Sequence, residues 1–256
     1  MITCGVDLSS QTADTAIAVI DWDASSPRLV QLDVGVDDEI ILDAARRADA
    51  VAIAAPFGWP DPFLEFIVSN RVGSVPNPRR VATTSGRNRI MYRTTDQRLR
   101  EMLGLTLLPS TASSLAAATL RCVGILARMK EEGIEVSRAG GGRVVEAYPS
   151  ASLVAWGLDE PKYKTTPAAR VRIVEQAARR VSLDLGDQRA TCMESDDALD
   201  ALVCALTARA VALGLWRAPL DPDEVQHAPT EGWVCIPSGT IDQLRESPAG
   251  TPGTPG

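Results

Sequence analysis

Histidine is nearly missing from this chain, which has one, His227, among its 256 residues. A Ser/His/Asp or Cys/His triad would have to use that imidazole, and the chain has no nucleophile elbow of the Gly-x-Ser-x-Gly type. The five cysteines have wide and irregular spacing that fits neither a disulfide framework nor a zinc motif, so we expect buried thiols. These absences favour chemistry that is based on carboxylates.

Long apolar runs are missing as well. The longest ones fall well short of a bilayer span, and Met1 leads directly into an apolar strand without a basic segment and a signal core. We therefore expect a cytoplasmic protein without a membrane partner. The glycines at 140–142 are not followed by Gly-Lys-Ser/Thr, so they predict a flexible connection rather than a phosphate-binding loop.

Positive charge is scarce overall but concentrated in one segment. The net charge is −7, yet residues 71–100 contain eight arginines, no lysine and a single acid, which leaves −14 for the rest of the chain. Such asymmetry indicates a local anion-binding surface, and arginine suits bidentate contacts with phosphate. We therefore expect nucleic acid as a partner, bound through Arg87, Arg89 and Arg93. The alternative is a solvated loop whose arginines pair with the acidic remainder of the chain.

The order of the predicted elements indicates an α/β fold. Apolar runs predict strands at 2–7, 15–22, 28–36 and 50–56, with a helix over 37–49 before the fourth strand. Three consecutive strands, a crossover helix and a strand that returns beside the first are the order of a ribonuclease H-like sheet. A fifth strand is predicted at 143–149, and later helices begin near 165 and at 195.

Between the fourth and fifth strands the sequence predicts helices rather than sheet. Helices are expected at 62–70, from Thr94 or Thr95 through Leu103, and from Ser113 or Ser114 through Lys130. We therefore expect a mixed five-stranded sheet flanked by helices in a single domain over 1–240, with an arginine-rich helical insertion at about 60–140. Residues 241–256 are expected to form a flexible Pro/Gly tail.

Carboxylates at the ends of apolar segments form the candidate site. Asp7 ends the first strand, where open α/β sheets bind their ligands, although a turn-capping role is the alternative. Asp197 and Asp200 share one face of the helix predicted from 195, and two such close carboxylates repel each other unless a cation or a proton lies between them. A divalent cation shared with Asp7, and with Glu146 near the end of the fifth strand, would resolve this repulsion. Oxygen ligands without His or Cys favour Mg²⁺ or Mn²⁺.

Eight short motifs follow one another along the chain. They are Gly5-Val6-Asp7, Ile53-Ala54-Ala55-Pro56-Phe57-Gly58-Trp59-Pro60, Tyr92-Arg93-Thr94-Thr95-Asp96, Val145-Glu146-Ala147-Tyr148-Pro149, Trp156-Gly157-Leu158, Tyr163-Lys164, Asp197-Ala198-Leu199-Asp200-Ala201 and Glu231-Gly232-Trp233. In this order they resemble the family called domain of unknown function 429, over roughly residues 2–237. The resemblance implies a ribonuclease H-like fold and, by fold analogy, a nuclease.

The resemblance also implies which residues form the site. Four acids match the family's acidic positions and are the implied metal ligands: Asp7, Glu146, Asp197 and Asp200. Arg93 and Asp96 match its Arg and Asp pair, and together with Lys164 they are implied to contact the substrate.

One position departs from the family pattern. The family usually reads Ile-Asp-Ala-Pro where this chain has Ile53-Ala54-Ala55-Pro56, so Ala54 replaces an expected carboxylate. In the ribonuclease H-like arrangement this position abuts the first strand and helps to hold the metals. A deliberate inactivating substitution, a natural loss of activity and a site remodelled around Glu146 would each account for the alanine.

The leading hypothesis is a metal-dependent nuclease that hydrolyses phosphodiesters of DNA or RNA. Its catalytic positions would be Asp7, Ala54, Glu146, Asp197 and Asp200. One alternative is an actin-like-fold nucleotide phosphotransferase, which shares the strand-end aspartate but needs glycine-rich phosphate loops. The other is a nucleic-acid-binding protein without catalysis, which is consistent with Ala54 and the arginines.

Overall fold

The computed structural model describes residues 1–23 and 26–246 of the chain. Its centre is a five-stranded sheet in the order β3-β2-β1-β4-β5. The strands are β1 (Ile2–Asp7), β2 (Ala16–Asp21), β3 (Arg28–Val34), β4 (Ala50–Ala54) and β5 (Val144–Glu146). β2 is antiparallel to both β1 and β3, whereas β1, β4 and β5 are parallel. The predicted mixed five-stranded sheet is therefore confirmed.

Helices cover both faces of the sheet. The alternation along β1 directs Cys4 and Val6 to one face, where they pack with α1 (Asp38–Arg47) and α6 (Ser113–Glu131). The opposite face packs against α10 (Asp196–Ala212), which is buried over nearly its whole length. The predicted α/β layering follows from this apolar alternation.

Five helices lie between β4 and β5: α2 (Asp61–Arg71), α3 (Pro78–Val81), α4 (Thr84–Met91), α5 (Thr94–Leu103) and α6. The short helices α3 and α4 were not predicted, although Asn77 and Thr83 cap their N-termini. The predicted threonine cap of α5 was wrong, because its N-cap is Arg93, whose backbone N–H donates to Asp96.

The remaining helices follow β5. They are α7 (Pro149–Ala155), α8 (Pro167–Val181), α9 (Arg189–Glu194), α10 and α11 (Pro222–Glu231). Pro149 was read only as the end of the strand, but it occupies the first position of α7, where proline is well tolerated. A 3₁₀ helix at Ile241–Arg245 buries Ile241, so ordered structure continues past the expected domain end at 240. Residues 247–256 of the expected tail lie outside the described residues.

All five cysteines are buried and none is disulfide-bonded, as the spacing predicted. Within residues 1–23 and 26–246, every helix falls short of the length and apolarity that crossing a membrane requires.

Candidate active site

A pocket of about 440 Å³ lies at the carboxyl ends of the three parallel strands. Asp7, Ala54 and Glu146 are the last residues of β1, β4 and β5, and all three line it. Parallel strands bring their carboxyl ends to one edge of a sheet, which is why these distant residues meet. The pocket wall includes seven of the ten residues that the sequence analysis selected: Asp7, Ala54, Arg93, Asp96, Glu146, Lys164 and Asp200.

Close packing of α10 on β1 brings Asp200 to the pocket. Ser195 caps α10 as predicted, with its side chain accepting from the backbone N–H of Ala198. A Cβ atom on Gly5 would lie 2.1 Å from the carbonyl oxygen of Ala201, so only glycine allows the helix to approach this closely. Asp7 lies two residues after Gly5 and therefore on the same face of β1. The helix thus holds Asp200 near the end of β1.

Asp200 is almost fully buried, with 1% of its surface exposed, and it has two side-chain partners. The Tyr163 hydroxyl donates to Oδ1 at 2.8 Å, and the Lys164 ammonium lies 2.7 Å from Oδ2. Burial raises the pKa of Asp200, and the positive charge of Lys164 opposes that rise. The Lys164 side chain is half exposed, so its ammonium group reaches the buried Asp200 carboxylate from the pocket.

Asp7 is partly buried and, within the described residues, its carboxylate has no hydrogen bond and no ion pair. Burial and then the negative charge of Asp200 raise its pKa well above the ordinary value. Asp197 lies in the first turn of α10, outside the pocket wall, and its charge adds to this effect. A carboxylate in this situation is stabilised by either a proton or a bound cation.

Glu146 has a different environment from the other predicted acids. Arg93 donates from Nη1 to Oε2 at 2.8 Å and from Nη2 to Oε1 at 2.7 Å, and the Phe57 N–H donates to Oε2 at 2.9 Å. Burial raises the pKa of Glu146, and the Arg93 guanidinium opposes that rise. Arg93 also binds Asp96 at 2.9 Å, and all three side chains are buried. The structure thus pairs Glu146 with an arginine, in a network at the inner wall of the pocket.

The predicted substrate-binding arginines occupy two different environments. Arg87 and Arg89 are exposed on α4 and lie outside the pocket wall, whereas Arg93 is buried within it. Arg87 donates to the carbonyl oxygens of Val81 and Ala82, which closes the turn before α4. Six arginines of the basic segment are exposed: Arg71, Arg79, Arg80, Arg87, Arg89 and Arg100.

A second group of ligand-type side chains escaped the sequence analysis. His227 was not selected as a site residue, but its Nδ1 hydrogen-bonds with Oδ2 of Asp61 at 2.9 Å and lies 3.9 Å from Oε1 of Glu231. The ligand atoms of these three residues all lie within 4.8 Å of one another and could hold a metal ion. His227 and Glu231 are four residues apart on α11, and recognising that helix would have paired them. The sequence gives no signal for Asp61, which is distant along the chain.

The comparisons with known proteins give one match. A family model described as "Protein of unknown function (DUF429)" matches residues 5–225, which confirms the resemblance that the motifs indicated. The searches against curated proteins and against solved structures give no significant match.

Proposed function

The chain belongs to the DUF429 family, and from the carboxylates at its pocket we propose that it is a metal-dependent hydrolase of nucleic-acid phosphodiesters. The observation that carries this proposal is the Asp7 carboxylate, which has no partner within the described residues although it lies in the field of buried Asp200. Two such carboxylates repel each other unless a cation or a proton lies between them.

The sheet topology supports the proposal. The order β3-β2-β1-β4-β5, with β2 antiparallel and β4 parallel to β1, agrees with a ribonuclease H-like fold. In such a fold the carboxylate at the end of the first strand belongs to the active site, which is the position of Asp7. A fold does not determine a function, so the side chains of the pocket decide which chemistry is possible.

The donor set of the pocket fits one hard divalent cation. Asp7 and Asp200 offer carboxylate oxygens, and the wall contains no histidine or cysteine, which favours Mg²⁺ or Mn²⁺ over zinc. Glu146 is already paired with Arg93, so it supports the wall and leaves the cation to the two aspartates. When bound, such an ion supplies Lewis-acid stabilisation of the charge that develops during phosphodiester hydrolysis.

Other residues of the chain would hold the substrate. The Lys164 ammonium is half exposed at the pocket and suits a phosphate oxygen of the scissile group. Leu107, Leu108 and Leu115 form an apolar part of the wall, which suits a base or a sugar. Exposed Arg87 and Arg89 would contact the backbone of the nucleic acid outside the pocket.

The direct experiment compares cleavage of labelled single-stranded and duplex DNA and RNA with Mg²⁺, with Mn²⁺ and with EDTA. Because Ala54 replaces an expected carboxylate, the natural chain and Ala54→Asp are assayed together, and Asp7→Asn in the Ala54→Asp background is the negative control. We expect metal-dependent cleavage by Ala54→Asp that the Asp7→Asn change abolishes. If Ala54→Asp cleaves none of these substrates, the hydrolase proposal is wrong.

A second candidate function is nucleic-acid binding without catalysis, which Ala54 and the exposed arginines favour. Binding would then be salt-sensitive and independent of metal. Changing Arg87 and Arg89 to alanine should reduce the salt slope by about 1.4, from about 0.7 per phosphate contact on a single strand. Arg245→Ala, at an exposed arginine outside the segment, is the matched control. If the salt slope is unchanged in the double variant, these arginines do not contact nucleic acid.

A further inference from the structure

The group Asp61, His227 and Glu231 lies where two helices meet, outside the wall of the carboxylate pocket. Asp61 is the first residue of α2, and the other two residues share one face of α11. Glu231 is 2% exposed, while Asp61 and His227 are partly exposed, so the group is open to solvent on one side.

Backbone and hydroxyl donors orient the two carboxylates. Glu231 accepts from the Asp61 N–H at 2.9 Å through Oε1 and from the Thr94 N–H at 2.6 Å through Oε2. The Thr230 hydroxyl donates to Oδ2 of Asp61 at 2.8 Å. Both Glu231 oxygens keep a second lone pair, and Oδ2 of Asp61 would exchange its hydrogen bond with His227 for the ion. The donors therefore fix the direction of the carboxylates and leave them able to bind an ion. Such supporting hydrogen bonds are the usual surroundings of protein metal ligands.

We propose that Asp61, His227 and Glu231 form a second metal site, which binds a divalent transition metal such as Zn²⁺ in preference to Mg²⁺. One imidazole nitrogen and two carboxylate oxygens provide three protein ligands and leave a fourth position open. Metal–ligand bonds of about 2.0–2.2 Å place neighbouring ligand atoms about 3.3–3.6 Å apart around a tetrahedral ion. The observed separations of 2.9 and 3.9 Å from His227 Nδ1 lie on either side of that range, and all three ligand atoms lie within 4.8 Å of one another. Side-chain adjustment on binding would complete the site.

A metal at this site would fasten α2 to α11. α2 has no buried residue and leaves Leu64, Ile67 and Val68 largely exposed, so its own side chains anchor it weakly. It packs against α4, which carries Arg87 and Arg89. The ion would therefore also hold these two arginines in place relative to the rest of the chain.

The single histidine allows a direct test on the 256-residue chain. In a sample freed of metal with EDTA and then dialysed, ¹⁵N-histidine labelling gives one pair of ring-nitrogen resonances, both from His227. We expect Zn²⁺ to shift the Nδ1 resonance at one equivalent, and Mg²⁺ at millimolar concentration to leave it unchanged. An Nδ1 resonance that is insensitive to Zn²⁺ would overturn the proposal.

Variants separate this site from the carboxylate pocket. By calorimetry, Asp61→Asn and His227→Gln should each weaken Zn²⁺ binding at least 10-fold, while Asp7→Asn and the exposed control Glu65→Gln should leave it unchanged. Equal affinity in Asp61→Asn and the natural chain would contradict the site. Because Asp7→Asn disables only the proposed hydrolase centre, failure of that function and failure of this site are distinguishable.

The fastening role has its own readout. Trypsin cleaves after arginine, and Arg71 is exposed at the end of α2, while Arg79 and Arg80 are exposed on the following helix, α3. We expect Zn²⁺ to slow cleavage at these residues at least fivefold in the natural chain and to have no effect in Asp61→Asn. Equal cleavage rates with and without Zn²⁺ in the natural chain would overturn the fastening role.

Discussion

Asp7 and Ala54 are register partners across the parallel β1–β4 pair. Paired residues of neighbouring strands direct their side chains to the same face of a sheet, and here that is the face covered by α10. A carboxylate at position 54 would therefore lie beside Asp7 and near Asp200. With alanine at position 54, Asp7 and Asp200 lack a third carboxylate beside them, and the methyl side chain does not fill the space that a carboxylate would occupy.

Ala54→Asp should increase the affinity for Mn²⁺ at least 10-fold, because a third carboxylate strengthens both the charge and the ligand set of the site. Calorimetric titration of the metal-free protein measures the change. Ala54→Asn is the matched control, since it has nearly the same shape without the charge. Equal affinities in the two variants would show that position 54 does not contribute to a metal site.

Asp7→Asn should abolish Mn²⁺ binding at the carboxylate pocket and also raise the thermal midpoint of the metal-free protein. The pKa of Asp7 is raised, so its charged form is disfavoured in the folded state, and the amide removes the repulsion with Asp200. Differential scanning calorimetry in EDTA provides the measurement. A midpoint that falls would mean that the charge of Asp7 stabilises the fold, which contradicts this interpretation.

Lys164→Gln should tighten divalent cation binding about 10-fold and at the same time slow any cleavage. The Lys164 ammonium lies 2.7 Å from Oδ2 of Asp200, where it competes with a metal for the same oxygen. Its removal favours the metal but deletes a phosphate contact. Lys162→Gln, at an exposed neighbouring lysine, controls for the loss of one charge. Unchanged metal affinity in Lys164→Gln would exclude the competition.

Arg93→Ala should destabilise the protein by about 3–5 kcal/mol, because it leaves Glu146 and Asp96 buried without their partner. Arg89→Ala, at an exposed arginine, should change the free energy of unfolding by less than about 0.5 kcal/mol. Urea unfolding distinguishes the two. Similar small losses in both variants would show that the buried network is not needed for stability.

Lowering the pH should remove the contribution of Glu224 to the free energy of unfolding. Burial opposes ionisation, but a hydrogen bond from Arg217 at 2.7 Å and one from the Leu220 N–H at 2.8 Å lower its pKa below the ordinary 4.5. A carboxyl with a lowered folded-state pKa stabilises the protein above the unfolded-state value, and this contribution is lost as the pH falls through the folded-state pKa.

The difference in unfolding free energy between the natural chain and Glu224→Gln should therefore be constant above about pH 5.5 and shrink below about pH 4.5. Denaturation series at several pH values measure it. Glu65→Gln, at an exposed carboxylate, should give a difference near zero at every pH. A gap for Glu224→Gln that does not change with pH would show that its charge is not involved.

Much of the fold could be predicted from local patterns. Short apolar runs located all five strands, and Ser195 marked the start of α10, because these signals depend on residues only a few positions apart. Strand-end placement then identified Asp7 and Glu146 as candidates for one site, since parallel strands end at a common edge, and the family resemblance added position 54. The missed helices α3 and α11 are short or contain proline, so their periodicity is weak.

The partners of the site residues were decided by the tertiary structure alone. Glu146 is bound to Arg93, which is 53 residues away along the chain, and His227 meets Asp61 across 166 residues. Hydrophobic periodicity sets which face of an element is buried, but it carries no information on which charged side chain of another element lies opposite. The sequence by itself therefore determined the sheet and the edge where its acids collect. Only the packing of the elements decided that Arg93 neutralises Glu146 and that Lys164 neutralises Asp200. The same packing leaves Asp7 without a partner among the described residues.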